Sequence, residues 1–117
     1  MKLRIRNVTR GTVLADAADI ADTSEKRRTG LLKRRSLDRG EGLLIDPCEG
    51  IHSFGMKFAF DAVFLDGDRK VFKVRASMPR RPISFCLPAH CVLELPAGTA
   101  ADTGTVAGDQ LAWERYQ

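Results

Sequence analysis

Apolar and polar positions alternate over short stretches of the chain, which is the pattern of half-buried β-strands. In Lys2–Val8, Leu3 and Ile5 lie between charged residues, and Arg10-Gly11 then signals a turn. The same reasoning predicts strands at Lys2–Val8, Thr12–Ala15, Asp19–Ala21, Gly42–Ile45, Met56–Leu65, Lys70–Ala76, Ile83–Cys86, Cys91–Leu95 and Gln110–Glu114. Because short turns such as Asp66-Gly67-Asp68 join several of these strands, most of the pairing should be antiparallel.

One longer helix is predicted between the early strands and the second half of the chain. Asp22 and Glu25 have the spacing of a capping box, and the helix should run to about Leu32 with Gly30 inside it. Gly98–Thr103 could form one further helical turn. The predicted fold class is therefore α+β: a β-rich domain with a mostly antiparallel curled sheet or partly open barrel and one main helix.

Length and composition limit the classes of protein to which this chain can belong. The 117 residues suit one domain, 1–117, and an apolar fraction of 44% argues against intrinsic disorder. No stretch approaches the roughly 20 apolar residues of a membrane-spanning helix, and no apolar run follows the first basic residues, so neither a transmembrane segment nor a secretory signal is expected. The formal charge is +4, and the basic excess lies in residues 1–75, with 16 basic and 11 acidic groups.

The three cysteines, Cys48, Cys86 and Cys91, indicate reduced thiols in the cytoplasm, since their number is odd and no secretory signal is expected. Small buried hydrophobic residues are the simplest interpretation, with no cofactor. As an alternative, three residues separate Cys48 from His52 and Cys86 from His90, and Cys91 follows directly. Zinc binds thiolate and imidazole, so these five residues could form a metal site. Cys48 with His52 could also form a nucleophile and its base, with Glu49 or Asp61 orienting the histidine ring.

Two acidic residues occupy strand positions that favour other side chains. Asp61 lies between Phe60 and Ala62, and Glu94 lies in an otherwise apolar strand. A buried acid pairs with a cation or accepts backbone N–H bonds, so one interpretation is a polar tie between helix and sheet. The other interpretation is a ligand-binding pocket, whose candidate residues are Asp61, Glu94, His52, Lys57, Arg28 and Arg35.

A basic segment follows the predicted start of the helix. It contains six cations and no acid: Lys26, Arg27, Arg28, Lys33, Arg34 and Arg35. A solvated helix face is the simpler interpretation, and an acidic partner that binds this face is the alternative. Nucleic acid is a disfavoured partner, because no recognised nucleic-acid module is visible and no aromatic side chains are interleaved to stack bases.

A series of motifs, taken in order, resembles the small prokaryotic family DUF192, a domain of unknown function. The motifs are Gly30-Leu31 with Arg35 and Leu37, Gly42-Leu43-Leu44, Met56-Lys57 with Asp61, Val92-Leu93-Glu94-Leu95-Pro96-Ala97-Gly98, Gly104, and Gly108-Asp109. The similarity extends from about Ala21 to Leu111, and Leu32, Gly55 and Phe58-Ala59 depart from the usual pattern. The resemblance implies a compact β-rich domain and implies no activity.

We therefore expect a non-catalytic binding or accessory domain that recognises a small molecule or a protein. Its polar pocket should lie near Asp61, Glu94 and His52, with Arg28 and Arg35 at the rim. An enzyme of a different class, dependent on a thiol or a metal and built on the Cys/His set, is the main alternative, with its catalytic residues left unassigned. Weak binding of phosphate or nucleic acid by the basic segment is the third hypothesis.

Overall fold

A computed structural model describes residues 2–31, 34–48, 50–52, 57–78, 83–85 and 89–116, with the backbone alone for residues 28, 50–52 and 83–85. The described part of the chain contains these elements, in order: β1 (Lys2–Asn7), β2 (Thr12–Ala21), α1 (Ser24–Thr29), β3 (Glu41–Ile45), β4 (Gly50–His52), β5 (Phe60–Leu65), β6 (Val71–Met78), β7 (Ile83–Phe85), β8 (Cys91–Pro96), α2 (Thr99–Thr103) and β9 (Leu111–Tyr116). The β-rich α+β class is confirmed, with two short helices in place of one main helix.

Seven of the strands form one mixed sheet in the order β6-β5-β8-β3-β2-β1-β9. All neighbouring strands are antiparallel except β2 and β3, which are parallel. The sheet curls so that its two edge strands meet at one end, where Lys70 bridges Gln110 and the amide of Leu111 donates to the carbonyl of Arg69 at 2.9 Å. The sheet does not close, and β4 pairs with β7 in a separate two-stranded sheet.

Each face of the large sheet carries its own apolar cluster, because side chains alternate between the faces along every strand. The inner cluster includes Leu3, Ile5, Leu14, Leu44, Val63, Leu65, Leu93, Leu95 and Leu111. The outer cluster includes Leu31, Leu37, Leu43, Ile45, Phe60, Ala62, Phe64, Met78 and Val92. The central strands β3, β5 and β8 contribute to both clusters and are therefore almost wholly apolar.

The helix α1 is shorter than its sequence predicts. Thr23, not Asp22, is the N-cap, and its side chain accepts from the amide of Lys26. The helix ends at Gly30, whose φ of +51° belongs to the region that favours glycine. Glycine thus ends the helix here instead of lying inside it, and the chain beyond residue 30 leaves the helical axis.

Strand boundaries differ where irregular pairing interrupts the alternation. The two short strands predicted at Thr12–Ala15 and Asp19–Ala21 are one strand, β2, because a register shift between Leu3 and Ile5 accommodates an extra residue on β2. The strand predicted at Met56–Leu65 begins only at Phe60; Met56 lies outside the described residues.

Candidate functional site

Glu94 is an acid in the middle of an apolar sheet. It lies on β8, the third strand from one edge, directly opposite Ala62 of β5 and Leu43 of β3. Side chains of directly opposed residues share a face, so the carboxyl group of Glu94 lies on the face of the outer cluster. Glu94 is only 4% exposed, and its Oε1 atom has no hydrogen-bond partner.

Burial controls the charge state of this carboxyl group. Removal from water raises the pKa of Glu94 to about 8, because the ionised form loses its hydration. At neutral pH, Glu94 is therefore mainly protonated, and it can both donate and accept a hydrogen bond. An orphaned polar atom at such a position destabilises the fold, which makes the site a candidate for function.

Asp61 lies on the adjacent strand and on the opposite face. It is directly opposite Leu95 of the inner cluster, one residue away from the Ala62–Glu94 pair. Its Oδ1 accepts from the amide of Ser77 at 2.7 Å, and its Oδ2 accepts from the amide of Ala100 at 2.9 Å. Asp61 thus ties β6 and α2 to β5.

The described side chains of the predicted pocket do not converge. Asp61 and Glu94 are separated by the sheet itself. Lys57 and Arg35 are exposed, and within the described residues neither forms an ion pair with either acid. His52 belongs to β4 of the small sheet, and its side chain, like that of Arg28, lies outside the described residues.

Part of the Cys/His set does come together. The amide of Cys48 donates to the carbonyl of His90 at 2.8 Å, and the Nε2 atom of His90 lies 3.3 Å from Oδ1 of Asp46. Cys91 is buried, and burial, with the nearby Asp46 carboxylate, raises the pKa of its thiol to about 12. Cys86 and the side chain of His52 lie outside the described residues.

The described members of this set are Cys48, His90 and Cys91, and zinc binds the thiolate and imidazole groups of such residues. Across the described ranges, no three His, Cys, Asp or Glu side chains are gathered as a metal site would require. Asp61, one candidate for orienting a catalytic histidine, is already held by two backbone amides.

The six cations of the basic segment do not form one helical face. Lys26 and Arg27 lie on α1, but Arg34 and Arg35 follow the end of the helix, and Lys33 lies outside the described residues. Arg34 forms an ion pair with Glu41 at 2.9 Å. The amide of Asp38 and the Arg34 guanidinium together hold the pKa of the Glu41 carboxyl below its usual range. Arg34 therefore fixes the loop before β3.

An open groove of about 920 Å³ lies beside α1, and the sequence did not predict it. Its charged lining residues are Asp19, Asp22, Glu25, Lys26 and Arg115, and its uncharged ones are Ile20, Ala21, Thr23, Thr29, Gly30 and Leu43. The wall residue Leu43 is the direct neighbour of Glu94 on the outer face of the sheet. The only sequence signal was the acidic pair Asp22 and Glu25, which capping of the helix also explains.

Comparison with known proteins identifies the family. The sequence profile of DUF192, described as an uncharacterized ancient conserved region, matches residues 5–113. The chain belongs to the DUF192 family. A UPF0127 protein of Thermococcus sibiricus is 31% identical to this DUF192 domain over 116 residues, which cover 92% of this chain and 73% of the relative. Nothing in these similarities shows catalysis.

Two solved structures share the fold of this DUF192 domain, each at 23% sequence identity. A protein of unknown function from Novosphingobium aromaticivorans has a TM-score of 0.82, with 95% of this chain and 83% of the other covered. A protein of Sinorhizobium meliloti described as a candidate transcription regulator has a TM-score of 0.81, with 95% and 91% covered. At this identity the likeness shows the fold alone.

No helix in the described ranges combines the length and the apolar character needed to cross a bilayer.

Proposed function

We propose that this DUF192 domain is a non-catalytic, cytoplasmic small-molecule-binding domain whose ligand contacts Glu94. The single observation that supports the proposal is the Oε1 atom of Glu94, which is buried in the outer cluster without a hydrogen-bond partner. A buried polar group left unpaired destabilises a folded protein by about 1–3 kcal/mol. A ligand that supplies the missing partner recovers this free energy only when it is bound.

Access to the site is through the groove beside α1. Leu43 lines that groove and is directly opposite Glu94 across one pair of strands. Adjacent strands lie about 5 Å apart, so a ligand in the groove needs to extend only past Leu43 to reach the carboxyl group. The apolar side chains around Glu94 exclude water and strengthen any polar contact made there.

A binding role suits the arrangement better than catalysis. Among the described residues, the Oε1 atom of Glu94 has no hydrogen-bond partner, and acid–base catalysis needs a partner within hydrogen-bond reach. The Cys48–His90–Asp46 contacts lie at the other end of β8, next to Cys91. Glu94 therefore acts as a single recognition group within an apolar surface.

The deciding experiment pairs Glu94→Leu with a matched surface control, Glu114→Gln on β9. Glu94→Leu keeps the side-chain volume and removes the buried acid, so the variant should be at least as stable as the wild type. Two-dimensional NMR of the labelled full chain would be recorded with a library of small organic amines, amides, alcohols and acids. Wild type and Glu114→Gln should show ligand-dependent shifts around Leu43 and Ala62 that Glu94→Leu lacks. Equal shifts in all three proteins would refute the proposal, as would the absence of any shift in the wild type.

A further inference from the structure

The charges on the outer face show what kind of group Glu94 lacks. Asp19, Glu94 and Arg75 occupy one row across the sheet, separated by Leu43 and Ala62. Asp19 is paired with Lys2 at 2.7 Å. Arg75 lies two strands from Glu94, about 10 Å away along the row, and no ion pair joins their side chains within the described structure.

A further acid on this face, Glu41, is also neutralised. Glu41, two residues before Leu43 on β3, is paired with Arg34 at 2.9 Å. Glu94 thus differs from both Asp19 and Glu41, since it is the most buried of the three and no cation of the described residues forms an ion pair with it. A cationic ligand would pair with Glu94 in the way that Lys2 pairs with Asp19 and Arg34 pairs with Glu41.

Acids outnumber bases in the lining of the groove beside Leu43, the strand neighbour of Glu94. Three of its lining residues are acids, Asp19, Asp22 and Glu25, and two are basic, Lys26 and Arg115. Asp19 is already paired with Lys2, so Asp22 and Glu25 are the lining acids that can attract a cation toward the groove. The uncharged wall at Ile20, Ala21 and Leu43 suits an alkyl chain.

We propose that the ligand class of the Glu94 site is an organic ammonium ion with an apolar chain. Its head pairs with the Glu94 carboxylate, and its chain lies against Leu43 in the groove. This inference rests on the proposed function and makes it more specific. A chain of roughly four or five carbons matches the spacing of about 5 Å between β3 and β8.

Four probes with the same chain separate the possible head groups: n-pentylammonium, pentanamide, pentan-1-ol and pentanoate. NMR titration of the full chain at pH 8 should give at least about tenfold tighter binding of n-pentylammonium than of pentanamide, since a charge-assisted hydrogen bond is roughly twice as strong as a neutral one. Glu94→Gln should remove this preference, and Glu114→Gln should retain it.

The pH dependence of binding provides a second readout, because the affinities for an ammonium ligand and for an amide ligand should change in opposite directions. Burial raises the pKa of Glu94 to about 8, so its carboxylate becomes more populated between pH 7 and pH 9. The charged neighbours on this face include Asp19, Glu41, Lys73 and Arg75, with Glu25 and Lys26 on α1. Binding of n-pentylammonium should tighten by about tenfold from pH 7 to pH 9, whereas an amide bound by the protonated acid would weaken.

The outcomes separate the two proposals. Preference for pentanamide or pentan-1-ol, lost in Glu94→Leu, would keep the binding site and overturn the cationic ligand. Preference for pentanoate that persists in Glu94→Leu would overturn both, because the anion would then be using the basic side chains. Absence of binding by all four probes at millimolar concentration would also overturn both.

Discussion

Asp61 and Glu94 are both buried acids on neighbouring central strands, yet their surroundings are opposite. Asp61 is fully buried and accepts two backbone N–H bonds, from β6 and from α2. Glu94 is 4% exposed, and its Oε1 atom accepts none. The two acids are one residue out of register, so their side chains lie on opposite faces of the sheet. Asp61 has a structural role on one face, and Glu94 is a candidate binding group on the other.

The comparison shows that burial of an acid does not by itself indicate function. Polar groups that hold the backbone of other elements are common in protein interiors, and their removal leaves those backbone groups unsatisfied. A carboxyl oxygen that is buried without a partner contributes no stability in exchange for its desolvation. Glu94 is therefore the better functional candidate, and substitutions at the two positions should behave differently.

The largest expected effect is at Asp61. Asp61→Ala leaves the amides of Ser77 and Ala100 buried without an acceptor and should destabilise the fold by about 3–5 kcal/mol. Urea unfolding followed by circular dichroism measures this loss. Asp61→Asn, which retains one acceptor oxygen, should lose roughly half as much. A loss below about 1 kcal/mol for Asp61→Ala would remove the distinction between the two acids.

The next effect is the pH dependence that Glu94 imposes on stability. Its pKa is about 8 in the folded state and about 4.3 in the unfolded state, so the folded state binds more protons between these values. Stability should therefore fall as pH rises from about 5 to 8, by about 3–4 kcal/mol, and level off above that. Glu94→Gln should remove this decline. Parallel curves for the two proteins in urea unfolding from pH 5 to pH 9 would contradict the prediction.

Asp109 is a buried acid with several hydrogen-bond partners, and it should affect stability at acidic pH. Burial alone would raise its pKa, but hydrogen bonds from Asn7, Arg10 and the amide of Val106 lower it. Its contribution to stability is therefore present above the unfolded pKa, near 3.9, and is lost as pH falls through the lower folded value. Asp109→Asn should cost about 1–2 kcal/mol at pH 7 and flatten the acid limb of the stability curve. An acid limb that matches that of the wild type would show that Asp109 behaves as an isolated carboxyl.

The smallest expected effect is at Thr23, which lines the groove, and the substitution leaves both Asp61 and Glu94 unchanged. The Thr23 hydroxyl caps α1 by accepting a hydrogen bond from the amide of Lys26 at 3.2 Å. Thr23→Ala removes this cap and should lower the free energy of unfolding by about 0.5–1 kcal/mol. Hydrogen exchange should increase in residues 24–29 and stay unchanged in β5 and β8. Faster exchange in β8 would instead mean that α1 and the Glu94 strand unfold together.

Much of the architecture could be predicted from alternation and turn residues alone. Alternation along Phe60–Leu65 is enough to place Phe60, Ala62 and Phe64 on one face and Val63 and Leu65 on the other, and the two apolar clusters have this arrangement. The length of β2 could not be predicted in this way, because its irregular register with β1 interrupts the period of two. The end of α1 was also mispredicted, since a glycine inside a helix and a glycine after it look alike in sequence.

The candidate site was only partly predictable. Sequence singled out both Asp61 and Glu94, since an acid in an apolar strand is conspicuous in either case. It could not place them relative to each other, because the faces of two strands are related by their register, and register depends on residues distant in the chain. The pairing of Ala62 with Glu94, and of Asp61 with Leu95, separates the two acids.

The sequence by itself determined the strand-rich class, the family and the presence of two acids in the core, because these depend on local alternation and on ordered motifs. The tertiary structure decided that Asp61 holds the backbone of two other elements, that Glu94 has an unpartnered oxygen, and that a groove reaches its neighbour Leu43. Hydrogen-bond partners and grooves arise from segments that meet only after folding, so no pattern along the chain could reveal them.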